Sequence, residues 1–172
     1  MIPWIIEEGV RWVQAQREIH RPVARPLDDR EVEALDRFFG AIIMNLASIR
    51  IVPRLENPPF YQVLQGSGIS VIDFSQGSGI VFIDTIVIPR KGKRWGPLPL
   101  PLVFHELVHV VQYDHVGVEE FISRYVQGWL AHGQQYESIP IERQAYELQG
   151  RYEADPSSGF SVVDHVRQAG IP

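Results

Sequence analysis

The chain has no cysteine, and that absence removes three kinds of chemistry at once. No disulfide framework can hold it together, no thiolate can attack a substrate, and no cysteine-built zinc ribbon can form. It also has no excess of positive charge. Sixteen Lys and Arg against 21 Asp and Glu leave a net charge of −5, the wrong sign for a chain whose main partner is nucleic acid. The basic run Arg90-Lys91-Gly92-Lys93-Arg94 reads as a solvated loop. No apolar stretch approaches the roughly 18 residues of a membrane-spanning helix. The opening segment lacks the basic start and apolar core of a secretory signal, because Glu7 and Glu8 interrupt it. A cytoplasmic location is the expectation that follows. Methionine is scarce too: Met1 and Met44 are the only two.

What is present is ordinary for a globular protein: 172 residues, 45 % hydrophobic and 22 % charged. That is enough for one domain with a sizeable core and too little for two. Residues 2–20 have the spacing of a first helix, and the two prolines of 21–26 make a connector. Asp28 with Glu31 forms a capping box for a second helix, with Val32, Leu35, Phe39, Ile42, Ile43 and Leu46 on its apolar face. Residues 48–53 read as a strand. A near-repeat follows, QGSGISVIDFS (65–75) then QGSGIVFIDTI (76–86), which predicts two adjacent strands joined as a hairpin. Neither Gly-Ser-Gly is a phosphate loop, since no Gly-Lys-Ser/Thr follows. Prolines keep 95–102 extended, and a helix begins near Pro101 and stops at Gly117. Val118–His132 is another helix ended by Gly133, and Pro140 opens one reaching about Tyr152. A short helix over 160–169 closes the chain. Helices (1–47), then strands (48–89), then helices (101–152) and a tail (153–172) give a single α+β domain, with a small twisted sheet packed against the central helix.

The chemistry lies in His105-Glu106-Leu107-Val108-His109. Two histidines four apart on a helix share a face, so their imidazoles can meet one ion. Glu106 stands about 100° round the helix, where it can reach a water beside that ion as a general base. Nearly every neighbour is apolar, and a buried Glu and two His need partners; a metal supplies one.

A third ligand is required. His115, six residues after His109, has the metzincin spacing, but that pattern needs a glycine where Gln112 stands and a methionine downstream, and both methionines are upstream. That reading is rejected. A carboxylate on the following helix is the alternative: Glu142 in its first turn is the choice, because Ala145 on the same face allows close approach. Glu147 is the reserve, Glu137 lies in the preceding loop, and His132 remains but adjoins a helix end.

The segment HELVHVVQY (105–113), followed by Tyr136-x-x-x-Pro-Ile-Glu-Arg-Gln-Ala-Tyr146, resembles gluzincins. The nearest resemblance is to the metallopeptidase-like domain associated with extracellular contractile injection systems, over roughly residues 80–152. The resemblance implies a zincin-like fold, zinc on His105, His109 and Glu142, Glu106 as base, and peptide hydrolysis. It departs from thermolysin-like enzymes at Tyr146, where an acidic residue normally orients a zinc histidine. Zincins hold a peptide as an added strand at a sheet edge, and 84–89 is the candidate edge here. For the donor to the developing oxyanion, Tyr136, Tyr146, Tyr125 and His132 are open; Tyr136 is preferred because loop residues reach into clefts. Two other readings stand beside the peptidase: a zincin-like binding module that keeps zinc for folding or docking, and a metal-free domain.

Overall fold

The structure is a computed structural model and describes residues 1–90, 96–133 and 135–170. Most of the basic run (91–94) lies outside the described residues. Helix α1 (Ile2–His20) buries Ile5 and Val13. The connector forms a 3-10 turn (Arg21–Val23) and a two-residue strand β1 (Arg25–Pro26). The capping box then starts α2 (Asp29–Leu46): Glu31 N donates to Asp28 at 2.9 Å and Asp28 N donates to Glu31 at 2.8 Å. The helix kinks at Gly40 (φ 72°). Its buried stripe is therefore Leu35, Phe38, Phe39, Ile43 and Met44, while Ile42 is 82 % exposed and Val32 sits on the rim.

Strand β2 (Ser48–Val52), the short helix α3 (Tyr61–Gly66), β3 (Ile80–Phe82) and β4 (Thr85–Pro89) follow. The sheet order is β1-β2-β4-β3, with β2 and β4 parallel and the outer pairs antiparallel. Two expectations fail here. The near-repeat does not make a hairpin between its copies. In the first copy Asp73 Oδ1 accepts from Ser75 N (3.1 Å) and Asn57 Nδ2 (2.8 Å), and Phe74 N donates to Asn57 (2.8 Å). Side chains thus take the groups a ladder would use, and a 3-10 turn (Phe74–Gln76) forms instead. The hairpin lies inside the second copy, turning at Ile83 (φ 65°) and Asp84. The second failure is the edge: β4 has β2 on one side and β3 on the other, so 84–89 is central and the edges are β1 and β3.

Helix α4 (Leu100–Ala131) carries Pro101 in its first turn and changes direction at Gly117 (φ 79°, ψ 168°). The expected stop is thus a kink between two helical arms. A 3-10 turn (Tyr136–Ser138) leads into α5 (Pro140–Ala154), and α6 (Val162–Ala169) ends the fold. Phe104 stacks on Tyr152 at 4.6 Å and meets Phe39 edge-on at 4.9 Å, tying α2, α4 and α5 together. Ala145 is fully buried where α5 crosses α4. The architecture is α+β, and among the described residues no helix is long and apolar enough to cross a membrane.

Candidate metal centre

The first arm of α4 turns His105 and His109 to one side, and the first turn of α5 brings Glu142 against them. Nε2 of His105 and Nε2 of His109 are 3.2 Å apart, and each is 3.3 Å from Glu142 Oε2. Three ligand atoms around a tetrahedral zinc with bonds of about 2.0–2.1 Å would be about 3.3–3.4 Å apart. The triangle already has that size. Among the described residues these three form the one His/carboxylate group close enough to share an ion, and all three are buried.

The protons decide what the triangle needs. His105 Nδ1 lies 3.1 Å from Gln149 Oε1, and His109 Nδ1 lies 2.8 Å from Gln112 Oε1. An amide oxygen only accepts, so each Nδ1 carries the hydrogen and each Nε2 presents a lone pair. Glu142 Oε1 accepts from the Tyr125 hydroxyl at 3.0 Å, but its buried Oε2 has no hydrogen-bond donor. Two nitrogen lone pairs and a carboxylate oxygen therefore converge, and a cation can satisfy all three at once. Without a metal ion a proton fills the role. Burial opposes charging His109, yet the Glu142 carboxylate beside it raises its pKa. Burial likewise pushes Glu142 up, but His109 and His105 outweigh it and hold the carboxyl well below its usual range.

Glu106 sits at the floor of an open cleft of about 620 Å³, beside His105, Tyr136, Tyr146 and Gln149. Burial raises its pKa to about 7, with His105 pulling it down and Glu142 pushing it up. Gly79 passes directly over it: a Cβ there would lie 2.8 Å from Glu106 Cδ, so any side chain at this position would displace the carboxylate.

Tyr136 is half-buried on its 3-10 turn and lines the cleft. Burial and the negative Glu142 push its phenol far above the ordinary value, so it keeps its proton as a donor. The Tyr125 hydroxyl bonds the Glu142 carboxylate. Tyr146 packs its ring 4.4 Å from the His105 ring at the cleft wall. The residues set aside stay away: His115, Glu137 and Glu147 are exposed, and exposed His132 bonds the Gly128 carbonyl at 2.9 Å.

Sequence reasoning missed Gln112, Gln149, Tyr125 as a ligand partner, and Gly79. Gln112 and Gln149 take the orienting task left open at Tyr146. Their signal was spacing: Gln112 is three residues after His109, and Gln149 seven after Glu142, each on the ligand's helix face. Comparison with protein-family models, curated proteins and solved structures finds no match to this chain. The geometry itself establishes a buried His105–His109–Glu142 group whose side chains lie close enough to share a metal ion.

Proposed function

We propose that the chain is a zinc-dependent metallopeptidase of the gluzincin kind, with His105, His109 and Glu142 holding the ion. The observation that carries this is the convergence of two imidazole Nε2 atoms and an unpartnered carboxylate oxygen, Glu142 Oε2, beside a second carboxylate, Glu106, that lines a cleft. Two imidazoles and one carboxylate form a donor set that suits catalytic zinc. Zinc bound there would supply Lewis acidity toward a water and a peptide carbonyl. Glu106, with its pKa near 7, takes a proton from the water as the water oxygen bonds to the carbonyl carbon. It then delivers that proton to the amine nitrogen as the C–N bond breaks. Tyr136 donates to the oxygen on which negative charge gathers. An extended peptide finds its main-chain partner at the outer side of β3, whose approach through Ser78 and Gly79 lines the cleft.

A second reading, a zinc-holding binding module without turnover, draws on the 4 % exposure of Glu106 beneath Gly79. One experiment separates the two. Zinc-loaded protein is assayed on a mixed library of unfolded peptides beside Glu106→Gln. The peptidase reading expects cleavage that falls about 10²–10⁴-fold in the variant with zinc fully retained. Full zinc occupancy with no cleavage by either protein would leave the module.

A further inference from the structure

Behind the metal centre runs a line of amides that the proposed reaction does not use. The Gly170 carbonyl at the end of α6 can only accept, and Gln144 Nε2 donates to it at 3.0 Å. That fixes Gln144 Oε1 toward α4, where it accepts from Gln112 Nε2 at 2.9 Å. Gln112 Nε2 also donates to the Ile141 carbonyl at 3.2 Å. Gln112 Oε1 is then left facing His109 Nδ1 at 2.8 Å. Every bond in the series points the same way, from the imidazole to a backbone carbonyl on another helix. The series sets which nitrogen of His109 is protonated, and so which offers its lone pair to the ion. Gln112 is fully buried and Gln144 is 6 % exposed, so the bonds around Gln112 are shielded from water, while the one to Gly170 is part-buried.

We propose that Gln112 and Gln144 are positioning residues of the metal centre, and that through them the docking of α6 and the binding of the ion are energetically coupled. This rests on the reading of His105, His109 and Glu142 as metal ligands. Bonds that merely satisfied buried amides would stabilise the fold equally with and without the ion. A polarised series that ends on a ligand stabilises the metal-bound form more, and coupling of that kind is reciprocal. His105 provides the internal control. Among the described residues its acceptor Gln149 reaches only Glu153, at 3.4 Å on the same helix, and leads to no other element.

The test uses the full chain with zinc as the probe. Affinity is read by competition with a chromophoric chelator, and α6 docking by hydrogen exchange of its backbone amides with and without zinc. In the unaltered protein zinc slows exchange in α6. Gln144→Met lowers zinc affinity about tenfold and abolishes that slowing. Gln144→Asn keeps the amide but shortens its reach, and gives the same two losses should the Met variant fold poorly. Gln149→Met weakens zinc yet leaves the slowing in place. Unchanged affinity and unchanged α6 protection in folded Gln144 variants would overturn the coupling. An unaltered protein that takes up no zinc would overturn the metal reading beneath it.

Discussion

Two carboxylates are buried to nearly the same degree in this protein, Asp84 at 4 % and Glu142 at 3 % exposed, and they are treated in opposite ways. Asp84 accepts from Arg17 Nε at 2.9 Å and Arg17 Nη2 at 2.7 Å, and from the Thr85 hydroxyl at 2.9 Å, with Arg21 Nη1 3.7 Å away. Both oxygens have fixed cationic donors, and the clasp ties α1 and the turn after it to β4. Glu142 receives one hydroxyl on Oε1, and turns Oε2 toward two imidazole lone pairs. The first carboxylate is closed by the chain itself, whereas the second is left open for something the chain does not contain. Burial of charge therefore marks a functional group only where the partner is missing.

That contrast can be pressed from both sides. The largest effect is expected from the ion: zinc at about a thousand times its dissociation constant stabilises the protein by about 4 kcal/mol, read as a rise in thermal midpoint that Glu142→Gln abolishes. Next is the clasp. Asp84→Asn loses charge-assisted bonds and costs about 2 kcal/mol in denaturant unfolding, with zinc affinity unchanged. Its pH dependence has a definite sign. Burial raises the Asp84 pKa, but the Arg17 and Thr85 hydrogen bonds and the charge of Arg21 outweigh it and hold the pKa below the ordinary 3.8. The stability gap between the protein and the Asn variant is full above that ordinary value and shrinks as pH falls through the depressed one.

A smaller effect follows from the proton that stands in for the ion. The His109 pKa is raised beside Glu142, so zinc must displace that proton while His109 is charged. Zinc affinity should climb about tenfold per pH unit on the acid side of the raised value and level off above it, as followed by chelator competition. The smallest effect is the stability of zinc-free Glu142→Gln. Its amide can donate to one imidazole, so chemical unfolding should place it within about 1 kcal/mol of the unaltered chain.

How much of this was legible in the sequence depended on whether local chemistry or long-range packing set the outcome. The capping box at Asp28 and Glu31, the proline starts at Pro101 and Pro140, and the His105–Glu106–His109 spacing are local devices, and the structure keeps all of them. The place of Glu142 beside the histidines was reachable because a side chain there must come from a face that packs closely, and Ala145 marked that face. The near-repeat misled because identical Gly-Ser-Gly turns meet different surroundings. Asn57, far away in sequence, captures Asp73 and Phe74 N in the first copy, while the second copy is free to pair. Pro89 suggested an edge, but it closes a strand paired on both sides, and strand order is set by packing that no local pattern encodes. The glutamine series was invisible for the same reason, since its bonds link residues 32 apart in one case and 26 in the other.

The most direct test of the central claim is metal content by native mass spectrometry on protein equilibrated with zinc, for the unaltered chain, Glu142→Gln and Asp84→Asn. One zinc per chain is expected in the unaltered protein and in Asp84→Asn, and none in Glu142→Gln. Zinc retained by Glu142→Gln, or an unaltered protein that binds none, would contradict it.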